Sequence, residues 1–246
     1  MFVITADQID SRHDRDRASD MIAALVHRHA EAFTLPPDQT SGDEIQLLVG
    51  SAADAFAIVL DLNRTGFWSV GVGIGPVRSP LPATTRQATG DAFIAARAAV
   101  TRAKRAEARF ALAIQPSPEL PAPGAGDDGS TGAPDDGLTA AEVEALVTML
   151  LLLRQRRSTE GWEAVDLLES GQAQTDIART LGISTAAVSQ RVKSAQWKVE
   201  RAAHPALVRL LHNLDRGTLD RGTLDRRTPD RRTLDRDPSE TDGHRR

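Results

Sequence analysis

Six polar side chains between residues 179 and 193 are of the types that contact DNA. Glutamine can bond two atoms of an adenine edge, serine and threonine bond bases or phosphates, and lysine and arginine bind phosphate oxygens. The candidates for reading base edges are Thr185, Ser189 and Gln190, and those for binding phosphates are Arg179, Arg191 and Lys193. Helical spacing leaves most of them on the free side of a helix that begins after residue 184. We therefore expect double-stranded DNA as a partner.

A short turn at Gly182 would connect that helix to the one before it. Glycine tolerates the backbone of a tight turn, and Ser184 can accept a hydrogen bond from the first turn of the next helix. The apolar residues that would join the two helices recur at helical spacing, and they are Ile177, Ala178, Leu181, Val188 and Val192. An ordinary helical hairpin in a soluble core would have the same pattern and is the alternative interpretation.

Residues 171–197 resemble the helix-turn-helix of sigma-factor-like and related bacterial regulators. Ala173 stands where those helices commonly open with Ser or Thr. The resemblance implies a bacterial transcriptional regulator whose helical unit spans residues 138–213. The first helix of that unit, between Thr139 and Arg157, has more leucine than the core of a small DNA-binding domain needs. Since such domains often pair to match two half-sites, we expect a homodimer.

Three carboxylates suggest a second kind of chemistry in the first part of the chain. Asp7 lies at the end of the first predicted strand, and Asp43 and Glu44 lie at the tip of a predicted hairpin. Where these places adjoin, the carboxylates would repel each other unless a divalent cation lay between them, and Mg²⁺ held there would suit a nucleoside triphosphate. The alternative is a solvated turn for Asp43 and Glu44, and a helix-start acid or a partner of Arg12 for Asp7.

Four segments in residues 1–108 together resemble the SatD family of bacterial proteins. They are Asp7-Gln-Ile-Asp-Ser-Arg12, Gly42-Asp43-Glu44-Ile45-Gln46, Val70-Gly-Val-Gly-Ile-Gly75 and Gly90-Asp-Ala-Phe-Ile-Ala-Ala-Arg97. That family is similar to the palm-type catalytic domains of class III nucleotidyl cyclases and GGDEF proteins. The resemblance implies Asp7 and Asp43 as metal ligands with Glu44 as a third candidate, and Gln46 and Arg97 as nucleotide contacts.

Departures from the palm pattern favour nucleotide binding without turnover. The hairpin has one glycine, Gly42, where the pattern has two, and Lys104 is the only lysine in this part of the chain. A cyclase-like, metal-dependent enzyme is the alternative. The glycines at 71, 73 and 75 lie inside a predicted strand, which favours close backbone packing over a phosphate loop.

The order of predicted elements in residues 1–115 indicates an α+β domain of ferredoxin-like fold, and the SatD resemblance implies that it is palm-like. In a DNA-binding regulator we expect it to be a sensor or assembly domain. The elements are strand 2–7, helix 16–33, a hairpin at 41–44, helix 51–62, strand 67–74, helix 90–108 and strand 109–115. An all-α helix-turn-helix domain would follow at 138–213.

The remaining segments are predicted to be flexible. Residues 116–137 are rich in Pro, Gly, Ser and Asp and read as an acidic linker. Residues 214–246 repeat the unit LDRGT with variations, with one apolar residue per unit, which predicts a disordered tail.

Composition and charge limit the class of protein. The 246 residues include no cysteine, which excludes disulfides and fits a reducing cytoplasm. No secretory signal or apolar run long enough for a bilayer is seen, so we expect a soluble cytoplasmic protein without membrane partners. The net charge of -4 hides an uneven distribution, because residues 171–213 contain six bases and two acids. That local basic balance suits contact with phosphates.

Overall fold

The computed structural model describes residues 1–11, 14–40, 42–115 and 138–225, with side chains as far as residue 218 in the last helix. The predicted linker at 116–137 and the predicted disorder after residue 225 lie outside the described residues. Among those residues the fold is α+β, with a five-stranded mixed sheet and eight α-helices.

The sheet has the strand order β2-β3-β1-β4-β5. The strands are β1 (Phe2–Gln8), β2 (Phe33–Thr40), β3 (Glu44–Val49), β4 (Trp68–Ile74) and β5 (Phe110–Ile114). Neighbouring strands pair antiparallel except β4 and β5, which are parallel. The strand predictions therefore agree with the structure. The parallel strand β5 lies at one edge of the sheet.

Helices connect and cover the strands. They are α1 (Ala18–His29), α2 (Ala52–Thr65), α3 (Asp91–Ala103), α4 (Ala140–Gln155), α5 (Thr159–Glu169), α6 (Gln174–Leu181), α7 (Thr185–Ser194) and α8 (Trp197–Asp225). Two short 3₁₀ turns occur at Ala30–Ala32 and Thr85–Gln87. Within the described ranges, no helix has the length and apolar content that a membrane crossing requires.

Helix α3 packs directly on the glycines of β4. A Cβ atom at Gly73 would lie 2.1 Å from the carbonyl oxygen of Ala92, and one at Gly71 would lie 2.1 Å from the amide nitrogen of Val100. The side of α3 that faces the sheet is made of small residues such as Ala96 and Ala99, which are fully buried. The alternate glycines therefore allow close packing of a helix on the sheet, as the sequence predicted.

The opposite face of the sheet forms one hydrophobic core with helices from both halves of the chain. Helices α4 and α8 contribute Val143, Val147, Leu150, Leu151, Leu207, Leu211 and Leu214 to the same cluster as the strands and α2. Helix α4 is also bonded to the sheet, because Glu144 accepts hydrogen bonds from the backbone of Leu112 and from Arg102. The division predicted at 116–137 thus does not separate two cores. The leucines of α4 that suggested a dimer are largely buried within the chain.

Helix α8 also corrects the predicted boundary at residue 213. The helix contains Pro205 and continues twelve residues into the repeat segment. Leu214 and Thr218 are buried, and Leu214 belongs to the main core. Packing on both sides of Pro205, through Glu200 before it and Leu207 after it, holds the helix together despite the missing N–H.

Candidate functional site

Helices α5, α6 and α7 surround a second, small hydrophobic cluster. Its buried members are Ala164, Ile177, Ala178, Val188 and Val192, with Leu167, Leu168, Leu181, Ile183 and Trp197 packed around them. The buried valines of α7 face α5 and α6, so the other side of α7 is free. We call α5 to α7 the three-helix unit.

The turn between α6 and α7 has the geometry that its residues predicted. Gly182 ends α6 with a left-handed backbone, φ 64° and ψ 31°, which glycine adopts without strain. Ser184 caps α7, and its Oγ accepts a hydrogen bond from the amide of Ala187 at 3.1 Å. Helix α6 begins after Ala173 without a side-chain cap. These local contacts fix the angle at which α7 leaves the turn.

The free side of α7 carries four of the six predicted DNA contacts. Thr185, Ser189, Gln190 and Lys193 are all exposed. Gln190 makes one long contact within the chain, from Nε2 to the Oγ of Ser194 at 3.5 Å. No ion pair of Lys193 occurs in the part of the chain that the structure describes. The four side chains can therefore reach a partner without breaking a strong internal bond.

The two predicted arginines are already paired. Arg191 binds Glu163 of α5 at 3.0 Å, and Arg179 binds Asp176 within α6 at 2.8 Å. Such exposed pairs are weak, typically below about 1 kcal/mol, so they can exchange for phosphate. Arg191 therefore extends from α7 toward α5, and Arg179 lies on α6, so neither is on the free face of α7.

A groove next to α7 contains polar residues that the sequence interpretation missed. It has a volume of about 220 Å³, and Gln174, Gln196 and Lys198 line it together with Ser189 and Lys193. Gln196 adopts a left-handed backbone, φ 54°, where the chain turns from α7 into α8. That turn brings Lys198 beside α7. The basic balance of the segment included Lys198, but only the turn geometry places it on this face.

A buried arginine cluster attaches the three-helix unit to α8. It consists of Arg154 and Arg157, at and just after the end of α4, and Glu200 of α8, which are 6%, 7% and 5% exposed. The carboxylate of Glu200 binds Arg154 through one oxygen and Arg157 through the other, the latter at 2.6 Å. Arg157 also donates from Nε to the carbonyl oxygen of Ala195, which ends α7, at 3.0 Å. Burial lowers the pKa of Arg154 to about 10 and lowers that of Arg157.

A tryptophan of α5 lies among these arginines. The guanidinium carbons of Arg64, Arg154 and Arg157 lie 4.1, 4.9 and 4.2 Å from the ring centroid of Trp162, within range of cation–π attraction. Arg64 of α2 also binds Asp166 of α5 through two parallel bonds of 2.7 Å. The three-helix unit is thus attached to α2 as well as to α8.

Two of the three predicted metal ligands lie on neighbouring strands. Asp7 of β1 is the direct cross-strand partner of Glu44 of β3, so the predicted proximity of these two positions agrees with the register. The Asp7 carboxylate, however, binds the ammonium group of Lys104 at 2.7 Å. Arg12, the alternative partner weighed for Asp7, lies outside the described residues. The ammonium group of Lys104 therefore balances the negative charge of Asp7, which a divalent metal ion was expected to balance.

The other two carboxylates also have partners. Asp43 accepts a hydrogen bond from Ser11 at 2.5 Å, and Glu44 accepts one from Thr40 at 2.7 Å. No group of three or more His, Asp or Glu side chains within the described ranges is arranged to hold a metal ion. The expected Mg²⁺ site therefore gains no support from the side-chain geometry.

The predicted nucleotide contacts are not alike. Gln46 is only 6% exposed and lies opposite Thr5 of β1, whereas Arg97 is exposed on α3. A buried glutamine has little surface to offer a nucleotide. No contact found in the structure brings the two side chains together at one site.

No protein-family model, no curated protein and no solved structure matches this chain.

Proposed function

We propose that the protein is a sequence-specific DNA-binding regulator that acts in the cytoplasm of a bacterium. The α6-turn-α7 pair serves as a helix-turn-helix, with α7 in the major groove. The observation that carries the proposal is the free side of α7, where Thr185, Ser189, Gln190 and Lys193 are exposed while the valines behind them are buried. Side chains of these types can bond base edges and phosphates from one helix face.

The groove beside α7 supports the same assignment. Lys198 and Lys193 border it, so two ammonium groups lie next to the residues assigned to base edges. The exposed pairs of Arg191 and Arg179 can open to phosphates at small cost. Phosphate contacts of this kind position a reader on the duplex and make its affinity depend on salt.

The decisive experiment is selection of bound fragments from random DNA by the full-length protein at near-physiological salt. We expect a discrete motif. Replacing Gln190 by alanine should weaken binding to that motif by about 1–3 kcal/mol and relax its sequence. Gln87→Ala, an exposed glutamine far from α7 along the chain, is the matched control and should bind as the wild type.

The lysine of the same helix should behave differently from the glutamine. Lys193→Ala is expected to weaken specific and random DNA similarly and to reduce the slope of log K against log salt by about 1. Arg105→Ala removes an exposed positive charge after α3 and is the charge-matched control. Equal losses on specific and random DNA for both Gln190→Ala and Lys193→Ala would contradict the assignment of base reading to Gln190.

The first half of the chain supplies a second candidate function. Its strand order β2-β3-β1-β4, with antiparallel neighbours, supports a ferredoxin-like, palm-like domain with β5 added at the edge. The facing positions of Asp7 and Glu44 are the observation in favour of a nucleotide-binding or nucleotidyl-cyclase-like activity that uses a divalent metal, and the metal would have to displace Lys104 from Asp7. Asp7→Asn would then abolish Mg²⁺-dependent turnover of nucleoside triphosphates, and Asp91→Asn would not. A wild-type protein that neither binds nor turns over nucleoside triphosphates would eliminate this candidate.

Pairing of two copies on DNA is part of the first proposal. The exposed side of α4 has Leu146 and Met149, which are 38% and 67% exposed and could meet a second copy. Leu150, Leu151 and Leu152 of α4 lie in or against the core, so this contact is smaller than the sequence suggested. A palindromic selected motif would support a dimer.

A further inference from the structure

Two adjoining cavities lie where the three-helix unit meets the rest of the chain. The outer cavity, of about 740 Å³, is bordered by α1, α2 and α5, and the inner one, of about 430 Å³, is bordered by α1, α2, α4 and α8. Arg28, Asp61 and Glu169 line both. The two cavities therefore form one cleft, which we call the junction cleft. Its size is in the range of small-molecule sites.

The inner cavity has a buried arginine with an unused donor. Arg154 lines it, and its Nε–H has no acceptor among the described residues, but this atom is enclosed and the side chain must shift for it to meet a ligand. One Nη group of Arg157, which lies behind the cavity wall, also has no acceptor there. Two buried guanidinium groups share the single carboxylate of Glu200, which leaves a surplus positive charge. Buried charge and buried donors without partners are costly, so an anion would stabilise this arrangement.

The other basic groups of the inner cavity could also meet an anion. Arg28 and Arg201 line it, together with His29 and His204. Burial lowers the pKa of His204, so its imidazole is neutral at pH 7 and can donate one hydrogen bond.

The acids that line the cavity are largely neutralised. Asp61 binds both Arg28 and His29 at 2.7 Å, and Glu200 binds the two buried arginines. Glu169 is exposed and also borders the outer cavity, so it lies where the two cavities join. The inner cavity is therefore lined by three arginines and three acids, and Arg154 is the arginine whose carboxylate partner is shared with a second buried guanidinium group.

We propose that the inner cavity binds the phosphate group of a small metabolite, with Arg154 as its buried anchor and Arg28 at its opening. Guanidinium groups bind phosphate oxygens through parallel hydrogen bonds, and several arginines around one cavity suit a dianion better than a single carboxylate. The outer cavity accommodates the rest of the molecule beside the half-exposed ring of Phe67.

Binding there would reach the DNA-reading helix through the buried arginine cluster. Arg154 shares Glu200 with Arg157, and Arg157 holds the carbonyl oxygen of Ala195 at the end of α7. A phosphate on Arg154 weakens its hold on Glu200 and so changes the support of α7. This coupling, which rests on the proposed function, is reciprocal: the ligand changes DNA affinity by the same factor by which DNA changes ligand affinity.

Calorimetric titration of the full-length protein with inorganic phosphate and with pyrophosphate tests the site without DNA. Ionic strength is matched with potassium chloride. We expect saturable binding, lost in Arg154→Met and weakened about tenfold or more in Arg28→Ala, which removes one charge-assisted contact. Arg154→Met leaves Arg157 and Glu200 as a one-to-one pair, and Arg105→Ala, remote from the cleft, is the control.

Thermal unfolding of the same four proteins provides a second measurement. Phosphate stabilises most proteins without binding, because it is excluded from their surface. Only a rise in Tm that is lost in Arg154→Met and Arg28→Ala therefore indicates binding of phosphate at the inner cavity. An equal rise in all four proteins, together with no saturable heat in the wild type, would overturn the proposal. If Arg154→Met does not fold, Arg28→Ala against Arg105→Ala decides the same question.

DNA binding separates this inference from the proposed function. If the protein binds phosphate but has no affinity for DNA, the phosphate site is supported and the proposed regulatory function is wrong. The coupling would be overturned if pyrophosphate changed the DNA affinity of the wild type no more than it changes the DNA affinity of Arg154→Met. The expected result is a change in DNA affinity of about 5- to 150-fold at saturation in the wild type alone.

Discussion

Replacing Glu200 by glutamine removes the carboxylate that two buried arginines share. The glutamine side chain has nearly the same volume, so the change acts mainly on charge. Arg154 and Arg157 would then face each other and an amide, with no anion among their described contacts. Arg157 would keep its bond to Ala195, but Arg154 and Arg157 would have only one uncharged amide oxygen in place of the two carboxylate oxygens.

The size of the effect follows from the burial of all three groups. Breaking a buried ion pair by removing one partner typically costs about 3–5 kcal/mol, because a charge is left buried and uncompensated. We expect a loss near the upper part of that range, since two guanidinium groups are affected. For a chain of this size it corresponds to a fall in Tm of roughly 10–20 °C.

Chemical and thermal denaturation followed by circular dichroism measure this change. Glu107→Gln, an exposed glutamate after α3, is the matched control and should alter stability by less than about 0.5 kcal/mol. In the double variant with Arg154→Met, the loss caused by Glu200→Gln should shrink, because one of the two uncompensated charges is gone. A loss below about 1 kcal/mol for Glu200→Gln would refute the description of this cluster as a buried anchor.

Two further predictions concern the sheet. Gly73→Ala should destabilise the fold by about 1–3 kcal/mol or more, because the new Cβ would lie 2.1 Å from the carbonyl oxygen of Ala92 and α3 would have to move away from the sheet. A urea titration measures this change, and unchanged stability would contradict the close packing of α3 on β4. Arg86 binds Asp38 with bonds of 2.5 and 2.7 Å and lowers the pKa of that carboxyl. The stabilisation is therefore present above pH 4, near the ordinary pKa of aspartate, and is lost as the pH falls through the lowered value. The difference in unfolding free energy between the wild type and Arg86→Ala, which is small for such an exposed arginine, should decrease in that acid range to what the bond from Arg86 to the carbonyl oxygen of Gln39 contributes. A difference that does not decrease would contradict the ion pair.

Local signals predicted the elements well. Gly182, Ser184 and the valines of α7 act within a few residues of one another, and the structure has the turn, the cap and the buried face that they indicated. The alternation of glycines in β4 likewise predicted close backbone packing. Such features depend on backbone conformation and on periodicity, which a sequence contains directly.

Contacts between distant segments were not predictable in the same way. Nothing in the sequence near Asp7 indicates that Lys104 would bind it, and nothing near Leu214 indicates that it would join the core of the sheet. The repeat unit there has too little apolar surface to fold alone, and it is helical because α8 already lies on the sheet. Long-range packing also placed α4 and α8 against the core of the sheet, which leaves only the small cluster of α5 to α7 as a separate core.

The two ends of the three-helix unit lie side by side. Arg157 precedes α5 and Ala195 follows α7, and a hydrogen bond of 3.0 Å joins them. This is the geometry of a domain inserted into a host, since neighbouring termini allow a module to be added or exchanged without disturbing the surrounding fold. Helices α4 and α8 are then consecutive helices of the host, and residues 158–195 are a cassette. Under the proposed function, exchange of such a cassette would change which DNA is read while the sheet stays the same, and it would also replace Asp166 and Glu169, the residues of α5 that line the junction cleft.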